Sequence, residues 1–277
     1  MADFDRDTIL PALFAEWDVL LELLDGIEAD AWFTPTALPG WTVHDITAHL
    51  VGTESMLAGI ATPRVDVDVA ALPHVHNPIG EFNEQWVEAL RELPGSEMVV
   101  RLAEVTRRRR ESLTAMSDDD LHAPADTPAG RASYLRFMRI RVFDCWVHEL
   151  DIRDAIGVPG DESGPRAEVA FDEMIPALGF VVGKKAKAPD GTHARFSLGG
   201  PMAREISVEV RDGRGAVSAA AESESEPEPT VGLALDSRLF TRLATGRTHA
   251  FDHPGEITVT GDADLGRAIA NSLAFTM

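Results

Sequence analysis

Three residues of this 277-residue chain could together bind a metal ion: His49, Asp144 and His148. Asp144 and His148 are four residues apart, so their side chains would lie on the same face of a helix. His49 is the best candidate for a third ligand, because it shares the inward face of its own predicted helix with Ile46 and Thr53. Two neutral imidazoles and one carboxylate would leave a divalent ion with one net positive charge. Three protein ligands also leave a coordination position open, which is the pattern of catalytic rather than structural sites.

The helix that carries Asp144 and His148 is predicted to be buried. Residues 133–156 are apolar on nearly every side of a helix, and a helix that is apolar all round lies in a core. Charged groups within it, including Arg141 and Asp151, must be paired or metal-bound, because an uncompensated buried charge is costly. The spacing alone leaves two interpretations open. The pair is either part of a metal site, or an ion pair with a hydrogen-bonded core histidine.

The first part of the chain is predicted to be helical. Apolar residues recur every three or four positions, and Pro and Gly separate the segments. We predict helices over residues 10–24, 43–60, 82–93, 96–113 and 133–156, with loops over residues 61–78 and 118–130. Thr42, followed by the carboxylate of Asp45, predicts the start of the second helix as a capping box.

From about residue 160 the pattern changes to that of a mixed α and β unit. A helix is predicted over residues 169–182, and short β-rich runs follow at 194–198, 206–210, 216–220, 231–235 and 257–260. Residues 211–215 predict a hairpin turn, and Asp236 and Asp262 can cap two further helices. We therefore predict an α+β protein, with a helical bundle in residues 1–160 and a small α+β domain in residues 161–277.

The composition argues against several classes of function. With 25 Lys and Arg against 46 Asp and Glu, the net charge is −21, and so acidic a chain is poorly suited to nucleic-acid phosphates or anionic membranes. A single cysteine, Cys145, allows no disulfide within the chain and no four-cysteine zinc site. No stretch approaches the ~18 apolar residues of a membrane span, and the acidic start lacks the layout of a signal peptide. We therefore expect a cytoplasmic protein whose partners are small molecules.

Two sequence motifs resemble those of the mycothiol-dependent maleylpyruvate isomerase family, in the DinB superfamily. The first is LPGWTVHDITAHL over residues 38–50, and the second is RVFDCWVHELDIR over residues 141–153. The stretch from residue 231 to residue 262, which includes Gly246 and Arg247, resembles the sterol-carrier-like C-terminal domain of the same family. The resemblance implies a DinB-like four-helix bundle followed by a small α+β sterol-carrier-like domain.

The family pattern places zinc on one histidine and a Glu-x-x-x-His motif. Carried over, the ligands of this chain would be His49, Asp144 and His148. The chain departs from the pattern at Asp144, where the family has Glu. Asp is one methylene shorter, so the ion or the helix must shift by about 1.5 Å. Both carboxylates are oxygen donors that bind zinc, so the resemblance still implies a divalent metal, zinc in the family.

The resemblance implies thiol chemistry. Mycothiol or a similar small thiol would occupy the open position, where the cation lowers its pKa and favours the nucleophilic thiolate. In the isomerase the thiolate adds to an activated C=C bond, the resulting single bond rotates, and elimination gives the other isomer; transfer to another electrophile is the related possibility. Arg247 matches a Gly-Arg pair that faces the cleft in the family, where it would suit a substrate carboxylate. The alternative for Arg247 is a surface arginine at a helix end.

Several other residues receive structural interpretations. Cys145 is predicted to be a small core residue rather than a nucleophile. Trp41 is predicted to pack at the start of its helix rather than stack on a ligand. The pair His74 and His76 is assigned to a solvated loop, and the run 107–110, four arginines, to a solvated helix face.

Two acidic residues near the predicted ligands keep alternative roles. Asp45 either orients His49 or caps its own helix. Asp151 either orients His148 or pairs with Arg141 or Arg153.

Three functions compete at this point. The first is a metal- and thiol-dependent isomerase or S-transferase acting on a small electrophile that carries a carboxylate. The second is a binding protein with a structural metal, whose C-terminal domain carries an apolar ligand or lipid. The third is a metal-sensing interaction protein whose acidic surface meets a basic partner. The sequence leaves the oligomeric state open.

Overall fold

A computed structural model describes residues 5–219 and 228–276, which cluster into two units, residues 5–160 and residues 161–276. Among these residues, no helix combines the length and the apolar character that a membrane crossing requires.

The first unit is built around a four-helix bundle. Its helices are α1 (Arg6–Asp25), α2 (Val43–Leu57), α3 (Pro78–Leu90), α4 (Gly95–Ala115), α5 (Asp118–His122) and α6 (Tyr134–Ile156). Helix α1 packs against α4 and α6, and α2 packs against α3, α4 and α6. Helices α1, α2, α4 and α6 are therefore the four members of the bundle, and the predicted DinB-like architecture is confirmed.

The two helices that carry the candidate ligands have well-defined ends. Thr42 and Asp45 form the predicted capping box at the start of α2. Ser133 caps α6 by accepting a hydrogen bond from the Arg136 backbone N–H, and Gly157 ends α6 in the left-handed conformation at φ 68°. The buried faces of α6 extend round most of its circumference, as the sequence predicts. These helix ends determine where the candidate ligands lie along the bundle.

The prediction of a loop over residues 118–130 is wrong. Residues 118–122 form the short helix α5, because Ser117 and Asp120 make a second capping box. Strands β1 (Pro124–Thr127) and β2 (Gly130–Ser133) then form an antiparallel hairpin. A proline is tolerated as the first residue of a strand, which is why the Pro-rich composition did not exclude one here.

The second unit contains helices α7 (Gly164–Met174), α8 (Ala177–Phe180), α9 (Ser237–Ala244) and α10 (Ala263–Ala270). A π-helical turn, Val181–Lys185, continues α8. The single helix predicted over residues 169–182 is thus interrupted, because Pro176 cannot donate the backbone hydrogen bond that a continuous helix needs. Asp236 and Asp262 cap α9 and α10 as predicted.

The sheet of the second unit has the strand order β5-β4-β3-β6-β7. Its strands are β3 (His193–Gly199), β4 (Arg204–Arg211), β5 (Arg214–Ala219), β6 (Val231–Asp236) and β7 (Thr258–Gly261). Only β3 and β6 run parallel, and the other neighbours are antiparallel. Asp212 and Gly213 have φ of 51° and 64°, which fits the type I′ turn of a tight hairpin. Helices and mixed sheet together confirm the α+β class.

Candidate metal centre

The structure brings the three predicted ligands together although they come from two helices. His49 lies on α2, and Asp144 and His148 lie one turn apart on α6. One potential ligand atom from each of the three lies within 4.8 Å of the other two. His49 Nε2 is 3.2 Å from Asp144 Oδ2, and His148 Nε2 is 3.8 Å from Asp144 Oδ1.

These separations suit a shared cation. Ligand atoms that each lie about 2.1 Å from a tetrahedral zinc ion are about 3.4 Å from one another. The two histidine–carboxylate separations, 3.2 and 3.8 Å, fall on either side of that value. The donor set of two imidazoles and one carboxylate also matches what zinc and similar divalent ions accept.

Protonation favours cation binding at this place. Burial lowers the pKa of His49, so its imidazole is neutral at pH 7 and can offer a lone pair. Burial disfavours the charge on Asp144, but the neighbouring Arg141 guanidinium outweighs it and holds the pKa of Asp144 well below its usual range. A neutral imidazole beside an ionised carboxylate is the state in which both groups bind metals.

Asp144 is hydrogen-bonded to Arg141, which belongs to a chain of buried charged side chains. Arg141 donates a hydrogen bond to Asp144 Oδ2 and, through Nε, another to Glu54 Oε1 at 2.9 Å. Arg109 donates from Nε to the other Glu54 oxygen at 3.1 Å. Glu54 and Arg109 are each 1% exposed, and Arg141 is 2% exposed. Arg141 and Asp144 on α6 are therefore paired, as the burial of this helix required.

The prediction that residues 107–110 lie on a solvated helix face is wrong for Arg109. Its neighbours Arg107 and Arg110 are exposed or partly exposed and pair with Glu111 and Asp18. Arg109 instead points into the bundle towards Glu54. A run of four consecutive arginines covers the whole circumference of a helix, so at least one of them has to face the core.

The contacts of Asp45 and Asp151 decide between the alternative roles of these two residues. Asp151 accepts a hydrogen bond from His148 Nδ1 at 2.9 Å, so it orients the ring and leaves Nε2 for a ligand role. Arg153 pairs with Glu149 instead. Asp45 completes the capping box of α2 and pairs with Arg91, so it does not orient His49.

Trp41 lies beside the candidate ligands, a position that sequence reasoning missed. Its ring centroid is 5.4 Å from that of His49 and 6.3 Å from that of His148. Its Nε1–H donates to Glu84 Oε1, and the same oxygen lies 2.8 Å from His74 Nε2. His74 lies in a loop, as predicted, but its ring is tied to a buried carboxylate rather than free in solvent. The "Gly-Trp-Thr" run before α2 carried the only sequence signal for this contact.

Cys145 is a core residue, as predicted. It is buried, and its Sγ accepts a hydrogen bond from Arg141 at 3.3 Å. Burial raises the pKa of the Cys145 thiol well above its usual value, although the positive charge of Arg141 acts in the opposite direction. The thiol is therefore protonated at neutral pH and is not a nucleophile there.

Arg247 belongs to the second unit, at the end of α9. Gly246 has φ of 74°, and the Arg247 backbone N–H bonds to the Arg242 carbonyl, which closes the helix. The Arg247 guanidinium donates to the Thr245 carbonyl at 2.6 Å and is partly buried. Its assignment to a substrate carboxylate stays a prediction.

Comparison with known proteins places these observations in a family. The model of the mycothiol maleylpyruvate isomerase N-terminal domain matches residues 13–153, the range that contains all three candidate ligands. A protein of Mycobacterium tuberculosis described as uncharacterized, found in two strains, is 30% identical over 154 residues. That match covers 56% of this chain and 58% of the relative, so the chain spans little more than half of the curated relatives it matches.

Solved structures share the fold. The crystal structure of the mycothiol-dependent maleylpyruvate isomerase superposes with a TM-score of 0.59 at 15% identity, over 93% of this chain and 94% of that one. A histidine-to-alanine mutant of that isomerase gives a TM-score of 0.56 at 16% identity with the same coverage. At these identities the likeness shows a common architecture.

Proposed function

The chain belongs to the family of the mycothiol maleylpyruvate isomerase N-terminal domain, and on that basis we propose that it is a metal- and thiol-dependent enzyme. The proposed reaction is isomerisation of, or thiol transfer to, a small electrophile that bears a carboxylate. One observation carries the proposal: the ligand atoms of His49, Asp144 and His148 converge within 4.8 Å on two packed helices. Structural likeness to the isomerase is consistent with it.

The residues present fit a resident divalent ion, for which we propose zinc. His49 and His148 would each offer Nε2, and Asp144 would offer a carboxylate oxygen. A divalent ion bound there would act as a Lewis acid and lower the pKa of a thiol at its open position. The protein's part is to keep the His49 imidazole neutral, to keep Asp144 ionised through Arg141, and to orient His148 through Asp151.

We propose mycothiol or a similar small thiol as the cosubstrate. In the isomerisation, its sulfur forms a bond to one carbon of an activated C=C bond, and the electron pair moves onto the activating carbonyl. Rotation about the new single bond follows, the C–S bond then breaks, and the thiol is regenerated. These addition, rotation and elimination steps need no oxidant or reductant. Arg247 is proposed to hold a carboxylate of the electrophile.

The carrier alternative would need a cavity in the second unit that is large enough for an apolar ligand. A cavity of about 190 Å³ in the second unit is lined in part by Leu243, Phe251, Ala270 and Ala274. Pockets that enclose drug-sized ligands are usually about 300–1,000 Å³. That cavity is too small to enclose a sterol or a lipid chain. The division into domains at residue 160, the cytoplasmic location and the lack of nucleic-acid partners stay predictions.

Metal analysis tests the site. We expect the purified protein to bind one divalent ion, and the variants His49→Ala and His148→Ala to lose it, because two remaining ligands hold a divalent ion poorly. His44→Ala is the matched control, since His44 is also buried on α2 but bonds to the Leu93 carbonyl away from the ligands. A full metal content in both ligand variants would refute the site assignment.

Calorimetry tests the thiol. Because a free thiol has a pKa of about 8.5, binding as thiolate near neutral pH releases a proton, which measurements in buffers of different ionisation enthalpy count. We expect release in the metal-loaded protein and none in the metal-free protein. Arg247→Ala should leave thiol binding intact and slow the turnover of a dicarboxylate substrate, whereas Arg211→Ala, an exposed arginine, should change neither. Absence of thiol-linked proton release would favour the carrier alternative.

A further inference from the structure

The two candidate histidine ligands are held in different ways. His148 donates from Nδ1 to Asp151 at 2.9 Å, the usual arrangement by which a protein fixes a metal-binding imidazole. His49 Nδ1 is buried, and no hydrogen-bond partner for it is found among the described residues. His49 Nε2 lies within hydrogen-bonding distance of Asp144 Oδ2, at 3.2 Å, but a metal ion bound to Nε2 would replace that contact. With the ion bound, a hydrogen bond orients the His148 ring, and something else must orient the His49 ring.

The indole of Trp41 is the neighbour that both rings share. Its centroid lies 5.4 Å from the His49 ring and 6.3 Å from the His148 ring, while the two imidazoles are 4.8 Å apart and nearly perpendicular, at 70°. The indole is tilted by 37° against His49. A rigid ring packed at this distance restricts rotation of the imidazole about its side-chain bonds.

Packing can orient His49 only if the indole is itself held in place. The capping box at Thr42 fixes the backbone next to Trp41 but leaves its side-chain torsions free. The Trp41 Nε1–H donates to Glu84, which lies on α3 and is 1% exposed. His74 Nε2 lies 2.8 Å from the same Glu84 oxygen and keeps that carboxylate in position.

We infer that Trp41, anchored by Glu84, is a positioning residue that sets the orientation of the His49 ring for metal binding. This inference rests on the proposed function, because it requires that His49 bind the ion. The indole takes the place of the hydrogen-bond acceptor that Asp151 supplies to His148. The contact between Trp41, which directly precedes the cap of α2, and Glu84 on α3 thereby tunes the affinity of a site that lies between α2 and α6.

Metal affinity measured without thiol or substrate tests this inference. Zn²⁺ and Co²⁺ are titrated against a competing chelator, and the visible absorption of bound Co²⁺ reports the coordination geometry. Trp41→Phe keeps an aromatic ring but loses the N–H that bonds Glu84. We expect about a 10-fold loss of affinity, the lower end of what loss of such supporting groups costs, together with a changed Co²⁺ spectrum.

Two further variants separate positioning from general stability. Glu84→Gln keeps a carbonyl oxygen that can accept from Trp41, so it should bind metal within a few-fold of wild type, whereas Glu84→Leu should behave like Trp41→Phe. Trp32→Phe is the matched control, because Trp32 is a buried indole next to His44, which is not a predicted ligand. It should leave the Co²⁺ spectrum unchanged even if it lowers the melting temperature.

The possible outcomes can be told apart. Wild-type affinity and an unchanged Co²⁺ spectrum in Trp41→Phe would overturn the positioning role while leaving the proposed function standing. Equal losses in Trp41→Phe and Trp32→Phe would also overturn it, since both effects would then reflect stability alone. A wild-type protein that binds neither ion would refute the proposed function itself.

Discussion

Glu54 is the residue whose replacement should damage the first unit most clearly. It lies on α2 and accepts one hydrogen bond from Arg109 on α4 and another from Arg141 on α6, at 3.1 and 2.9 Å. All three side chains are almost completely buried. One carboxylate thus compensates two buried guanidinium groups and ties three helices of the bundle together.

We predict that Glu54→Gln lowers the free energy of unfolding by about 3–5 kcal/mol, the usual cost of removing one partner from a buried ion pair. The amide removes the negative charge and turns one acceptor into a donor that faces a guanidinium. With the amide nitrogen facing it, Arg109 would keep the Met138 sulfur at 3.2 Å, the Leu57 carbonyl at 3.5 Å and the Tyr134 ring at 5.9 Å, none of which is charged. For a unit of this size the melting temperature should fall by about 6–20 °C.

Tryptophan fluorescence during urea unfolding measures the effect in the right unit, because all five tryptophans of the chain lie between residues 17 and 146. Glu111→Gln is the control. Its ion pair with Arg107 is shorter, at 2.7 Å, but the side chains of both partners are about two-thirds exposed. Such a pair contributes about 0.3–0.5 kcal/mol. Equal losses in the two variants would refute the reasoning that burial, not distance, sets the energy.

The structure supports three further predictions. Asp144→Glu should retain its metal by elemental analysis, since both carboxylates are oxygen donors; unfolding of this variant would show that Asp144 is a packed structural residue instead. Cys145 should not react with a thiol reagent at pH 8 in the native protein and should react completely after denaturation, because burial raises its pKa; native labelling would contradict this. Gly52→Ala should cost about 1–3 kcal/mol in urea unfolding, since an added Cβ would lie 2.4 Å from Trp86 Cγ; unchanged stability would show that the α2–α3 contact can adjust.

The ligand candidates could be predicted from the sequence because their geometry is mostly local. Asp144 and His148 share a face of α6 by virtue of their spacing alone, and the apolar surroundings of α6 required its charges to have partners. His49 needed only the assumption that the inward face of α2 meets the same core. The caps at Thr42 and Asp236 were predictable for the same reason, since a capping side chain lies within three residues of the group it satisfies.

The supporting residues could not be predicted because their partners are distant in sequence. Arg109 and Glu54 are 55 residues apart, and Trp41 and Glu84 are 43 apart. Helical periodicity shows which side of a helix is polar, but a charge that faces a partner in the core has the same periodicity as one that faces water. Arg109 and its exposed neighbours therefore looked alike, and only the packing of α4 on α2 distinguishes them.

The same division between local and distant contacts applies to the aspartate at position 144, where the family resemblance implies a glutamate. Arg141 is three residues before Asp144 on α6 and donates to Oδ2, which leaves Oδ1 on the side of His148 Nε2 at 3.8 Å. The short carboxylate is thus fixed by a neighbour on its own helix, and that neighbour is fixed in turn by Glu54 on α2. His49 comes from α2 as well, so a displacement of α2 would move one candidate ligand and the support of a second candidate ligand together. A shorter side chain can serve in such a site if α2 and α6 lie closely enough together, and the buried Glu54–Arg141 pair is a contact that holds them so.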